Sequence, residues 1–76
     1  MWIEKDNALE QAFQFKNFTQ AFAFMTQVAF VAERLNHHPE WSNVYNKVVI
    51  RLSTHESGSV TDKDFRMAEA IDQLLK

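Results

Sequence analysis

Hydrophobic spacing changes period several times along this chain, and each change marks an element. Trp2 to Lys5 reads as a short, weak strand, and Leu9 to Phe15 carries apolar residues at Leu9, Phe13 and Phe15, the period-2 spacing of a half-buried strand. Asp6-Asn7 between them suits a turn, since both residue types tolerate left-handed backbone. From Phe18 the apolar positions become 18, 21, 22, 25, 28, 29, 32 and 35, an i, i+3, i+4 series. It predicts an amphipathic helix capped by Asn17 and ending near Asn36. Pro39 then stops the helix and drives His38 toward an extended conformation. Trp41 to Tyr45 and Lys47 to Thr54 predict an antiparallel hairpin with Asn46 as the turn residue. Val48, Ile50, Leu52 and Thr54 would face the helices, and Val49, Arg51, Ser53 and His55 the other way. Thr61 caps a last helix with Asp64 at N3, and Phe65, Met67, Ala68, Ile71, Leu74 and Leu75 form its expected buried face. The order ββαββα predicts an α+β fold, a four-stranded antiparallel sheet with helices packed on one face.

A second apolar stripe runs beside the first on the long helix: Phe24, Val28, Val31 and Leu35. One sheet cannot cover both, so this heptad-like seam is expected to form a helix–helix contact between subunits. Composition points the same way. A chain of 76 residues is one small domain, and at this length only ~60% of the unfolded surface is buried. Without cysteine there is neither a disulfide nor a zinc–thiolate site to help. Yet 46% of the residues are hydrophobic and seven are Phe, an excess that predicts a homodimer or homotetramer. The formal charge of −2 argues against direct nucleic-acid binding, which needs a basic patch. Gln, Glu, Arg and Asn interrupt the long helix, so no membrane span is expected. The polar, acidic start from Met1 to Glu10 is unlike a signal peptide, and the expected location is the cytoplasm, the nucleus being open too in a eukaryote.

Candidate chemistry lies in two short segments, His37-His38-Pro39-Glu40-Trp41 and Ser53-Thr54-His55-Glu56. They hold all three histidines of the chain, one segment on each side of the predicted hairpin. Imidazole, with an unperturbed pKa of about 6.5, can give or take a proton near neutrality. Helix end, proline turn and strand end would bring His37, His38 and His55 to one rim, an arrangement suited to proton transfer on a bound small molecule. A metal site is not expected: adjacent histidines cannot share one ion from a regular helix, which wants i, i+4 spacing.

These segments, with Phe15-Lys16-Asn17-Phe18, Asn43-Val44-Tyr45-Asn46 and Thr61-x-x-Asp64, resemble the pterin-4a-carbinolamine dehydratases, also known as the dimerisation cofactor of a homeodomain transcription factor. The resemblance runs from about Trp2 to the C-terminus. It implies a hydro-lyase that dehydrates 4a-hydroxytetrahydropterin to the quinonoid dihydropterin, recycling tetrahydrobiopterin for aromatic amino-acid hydroxylases, with no metal or organic cofactor. Carried over to this chain, His38 and His55 form the acid–base pair and His37 binds the pterin or its hydroxyl. Asn36, Ser53, Thr54 and Glu56 correspond to substrate-contacting positions, Trp41 offers a flat wall for the bicyclic ring, and Glu33 is a candidate to orient an imidazole. Asp64 is read as a helix cap and not as part of the chemistry. Members of the family usually begin with a further helix before the position of Trp2, which the resemblance implies is absent here. Asn36 stands where Asp is frequent, and Ser59 where Gly is. The resemblance also implies a second kind of function, a protein-interaction module in which the helix seam binds a transcription factor's dimerisation helix.

Overall fold

The computed structural model describes residues Met1 to Lys76. Its elements are β1 (Ile3–Lys5), β2 (Ala8–Gln14), α1 (Phe18–Leu35), β3 (Glu40–Val44), β4 (Lys47–Leu52) and α2 (Asp62–Gln73). The four strands form one antiparallel sheet in the order β1-β2-β4-β3. This is the α+β, ββαββα arrangement that the periodicities predict.

Local chemistry explains most boundaries. Asp6 and Asn7 both take positive φ, 51° and 64°, so a two-residue turn returns β1 onto β2 with the twist that hairpins prefer. The Asn17 side chain accepts from the Gln20 N–H at 2.9 Å and opens α1, using one of the donors a helix start leaves free. In the second hairpin the positive φ falls on Tyr45 (51°) and not on Asn46, the expected turn residue. Asn46 instead bridges to the neighbouring strand. Its side-chain amide donates to the Phe15 carbonyl at 2.9 Å, and its own carbonyl accepts from the Phe15 N–H at 2.8 Å. The turn is thereby tied to the end of β2.

Alternation along the strands separates two faces. Leu9 pairs with Leu52 and Phe13 with Val48 across β2 and β4, and these side chains, with Ile50, form the floor of the core. On the opposite face Arg51 lies between its cross-strand partners, 2.8 Å from Glu10 and 3.9 Å from Glu40. Above the floor, α1 contributes Ala21, Phe24, Val28, Val31 and Ala32, and α2 contributes Met67, Ala68 and Ile71. Phe24 packs between Phe13 and Phe15, with ring centroids 4.9 and 5.0 Å apart.

Two expectations about buried faces are corrected here. Phe24, Val28 and Val31, assigned above to a subunit seam, are 4%, 0% and 3% exposed and belong to the core of this chain. Only Leu35 of that set remains accessible, at 38%. The apolar strip roughly a quarter turn round the helix leaves Phe18, Phe22 and Ala29 outside, with Met25 half-buried against the core. Two stripes with the same period carry no label saying which is inside. Phe65 on α2 and Leu75 just beyond it are exposed rather than buried. No helix is long and apolar enough to cross a membrane.

Candidate active site

The site forms where α1 ends. Asn36 adopts the left-handed conformation (φ 51°, ψ 46°), which asparagine tolerates better than most residues. Its N–H donates to the Glu33 carbonyl and the His37 N–H to the Ala32 carbonyl, at 3.3 and 3.1 Å. This double closure is the Schellman motif. The chain therefore reverses sharply at Asn36, and the following histidines fold back against the last turn of the helix. Pro39 keeps the segment extended until β3 begins at Glu40.

A cleft of about 220 Å³ opens at this point, lined by Asn36, His37, His38, Ser53, His55 and Glu56. Six of the residues expected at the rim thus come together, and no apolar side chain lines the cleft. The three imidazoles differ in their surroundings. His37 is mostly buried, and its Nε2 lies 2.5 Å from Oδ1 of Asp64, a carboxylate with no exposed side-chain surface. His38 is open to solvent, and its Nε2 lies 2.7 Å from Oε2 of Glu33, which is also open. His55 is exposed and pairs with no carboxylate.

Asp64 is the residue that sequence reasoning undervalued. Its Oδ2 accepts from the Thr61 N–H, closing the capping box, and from the Thr54 hydroxyl, each at 2.9 Å. Its Oδ1 is left for His37. A carboxylate offers about four acceptor positions, so capping a helix leaves lone pairs free, and that surplus was the available signal. The Thr54 and Thr61 hydroxyls also meet each other. One buried carboxylate thus fixes the start of α2, the end of the β4 segment and the His37 ring.

Two expected contact residues lie elsewhere. Thr54 is 6% exposed and points inward to Asp64. Alternation from β4 carries it to the helix side, so it supports the site from behind and does not line the cleft. Trp41 pairs with Ile50, which also directs it to the helix side. There it borders a different, apolar cleft of about 210 Å³ with Phe22, Met25, Thr26 and Ala29, and it is no wall of the histidine cleft. No group of three His, Asp or Glu side chains is arranged to hold a metal ion.

The arrangement defines a class: a small α+β protein with a polar, histidine-lined cleft at the rim of an antiparallel sheet. Residues 1–74 match the family model described as pterin 4 alpha carbinolamine dehydratase, and the chain belongs to that family. It is 55% identical over 74 residues to a protein of Sinorhizobium medicae that carries, provisionally, the name pterin-4-alpha-carbinolamine dehydratase; the match covers 95% of this chain and 70% of that protein. Among solved structures, a transcriptional coactivator/pterin dehydratase from Brucella melitensis is 44% identical with a TM-score of 0.90, over 95% of this chain and 79% of that one. A pterin dehydratase-like protein described as a RuBisCO assembly factor of the alpha-carboxysome shares the fold at 23% identity, with a TM-score of 0.79 over 97% and 86% of the two chains.

Proposed function

We propose that this protein is a hydro-lyase that dehydrates a 4a-hydroxytetrahydropterin to the quinonoid dihydropterin and water, as part of tetrahydrobiopterin recycling for an aromatic amino-acid hydroxylase. The observation that carries the reading is the cleft at which three imidazoles with three different surroundings meet. The reaction needs one proton delivered and one removed. The N5 lone pair forms the C4a=N5 bond as the C4a–O bond breaks, the hydroxyl leaves as water with a proton from an acid, and the N5 proton passes to a base. His38 suits the acid, because Glu33 is placed to balance the charge of its protonated ring. His55 has no carboxylate to balance a charge and suits the base. His37, held by Asp64 through Nε2, keeps Nδ1 for binding the pterin or its departing hydroxyl. Each of the two proton transfers is worth about 10²–10⁴-fold. The test is the decay of freshly generated 4a-hydroxytetrahydropterin, followed by stopped-flow absorbance. Catalytic amounts of protein should accelerate it, and an unchanged decay with folded protein would sink the reading.

A second reading, an interaction module, draws on the outer face of α1. Phe18 and Phe22 are 47% and 55% exposed, and Phe22, Met25 and Ala29 line an apolar cleft with Trp41. This strip, with Leu35, takes over the role first given to Phe24, Val28 and Val31, as a seam for a homodimer or homotetramer or for a transcription factor's dimerisation helix. Light scattering should find wild type as an oligomer and Phe22→Glu as a smaller species. A monomeric wild type would remove the oligomer from this reading.

A further inference from the structure

Besides the polar cleft, His37 lines a second one. This neighbour, about 160 Å³, is formed by Leu35, His37, Lys63 and Arg66. His37 is thus common to the linings of both. The second cleft differs in chemistry from the first: one apolar side chain and two long cations replace Asn36, His38, Ser53, His55 and Glu56. Lys63 and Arg66 stand three apart on α2, so their side chains share one face of the helix. Lys63 is in no ion pair. Arg66 meets Asp62 through Nε at 3.0 Å, which leaves both terminal amino groups of its guanidinium free to donate.

The geometry points to a subsite for a phosphate monoester carried on the C6 substituent of the pterin, held by Lys63 and Arg66 beyond His37. This rests on the pterin reading above and departs from it in the C6 group alone, since tetrahydrobiopterin carries a neutral diol there. A phosphate monoester brings a charge near −2 and three strong acceptors, which two cations can meet together. Arginine offers it the paired donors that planar recognition of phosphate uses. A neutral polyol at C6 would leave both cations in water.

The test is a fluorescence titration at low ionic strength with two 7,8-dihydropterins, one carrying a neutral polyol at C6 and the other the same polyol as its terminal phosphate monoester. Wild type should bind the phosphorylated compound about tenfold more tightly, and added salt should reduce that preference. Both cations are exposed, so Lys63→Gln/Arg66→Gln should fold, bind the neutral compound as before and lose the preference. Inorganic phosphate should compete with the phosphorylated compound alone. Equal affinity of wild type for the two compounds would overturn the subsite and leave the pterin reading standing. A preference that survives in the double variant would place the phosphate elsewhere and equally overturn it. Failure of wild type to bind either compound would reject the pterin reading, and the subsite with it.

Discussion

The chain contains the same chemical pair twice, an imidazole against a carboxylate, in opposite surroundings. His37 and Asp64 meet inside the protein, with side chains 11% and 0% exposed, whereas His38 and Glu33 meet at its surface, 59% and 77% exposed. The inner carboxylate also binds Thr54 and the Thr61 N–H, so its negative charge is matched by several donors at once, the condition under which a buried charge is tolerated. The outer carboxylate has water for an alternative partner, and such pairs contribute about 0–1 kcal/mol. Similar distances therefore do not mean equal roles. The inner pair is architecture that also aims a ring, and the outer pair stands open to solvent.

The sharpest way to break this comparison is Asp64→Ala. It removes the acceptor of three donors at once, leaves His37 and Thr54 without their partner and undoes the cap of α2. Urea unfolding should show a loss on the order of 3 kcal/mol, and pterin turnover should collapse with it. A variant as stable as wild type would show that the inner pair is no different from the outer one. His38→Ala comes next: turnover should fall by about 10²–10⁴-fold while the urea midpoint stays put, because an exposed side chain away from the core changes stability by about 0.5 kcal/mol or less. The smallest effect belongs to Glu33→Gln, which keeps the shape and removes the charge. Turnover should drop by less than about tenfold, with stability again unchanged within about 0.5 kcal/mol. A Glu33→Gln enzyme as impaired as His38→Ala would show that the carboxylate itself takes part in the proton transfer.

Much of the architecture was legible because it rests on local signals. Asn17, Asn36, Pro39 and the Thr61–Asp64 cap act within a few residues of where they stand. Period-2 spacing likewise assigned Val48, Ile50 and Leu52 to the buried face before any packing was known. Phe65 and Phe22 were misjudged because hydrophobicity at helical spacing reports an apolar strip without saying what covers it. In a chain this small, two helices over one sheet leave some of that surface outside. The family resemblance sets Thr54 and Trp41 among the substrate contacts, whereas strand alternation, which already assigns Thr54 to the helix side, turns both of them inward.

By itself, then, the sequence determined the order of the elements, their caps and the gathering of His37, His38 and His55 around one cleft. These follow from backbone periods and from short segments flanking a single hairpin. Only the tertiary structure decided which stripe of α1 is inside, and only it joined His37 to Asp64, 27 positions further on. Both outcomes depend on how two helices settle over the sheet, and that is decided by the combined volume of side chains from every element, a quantity no local pattern contains.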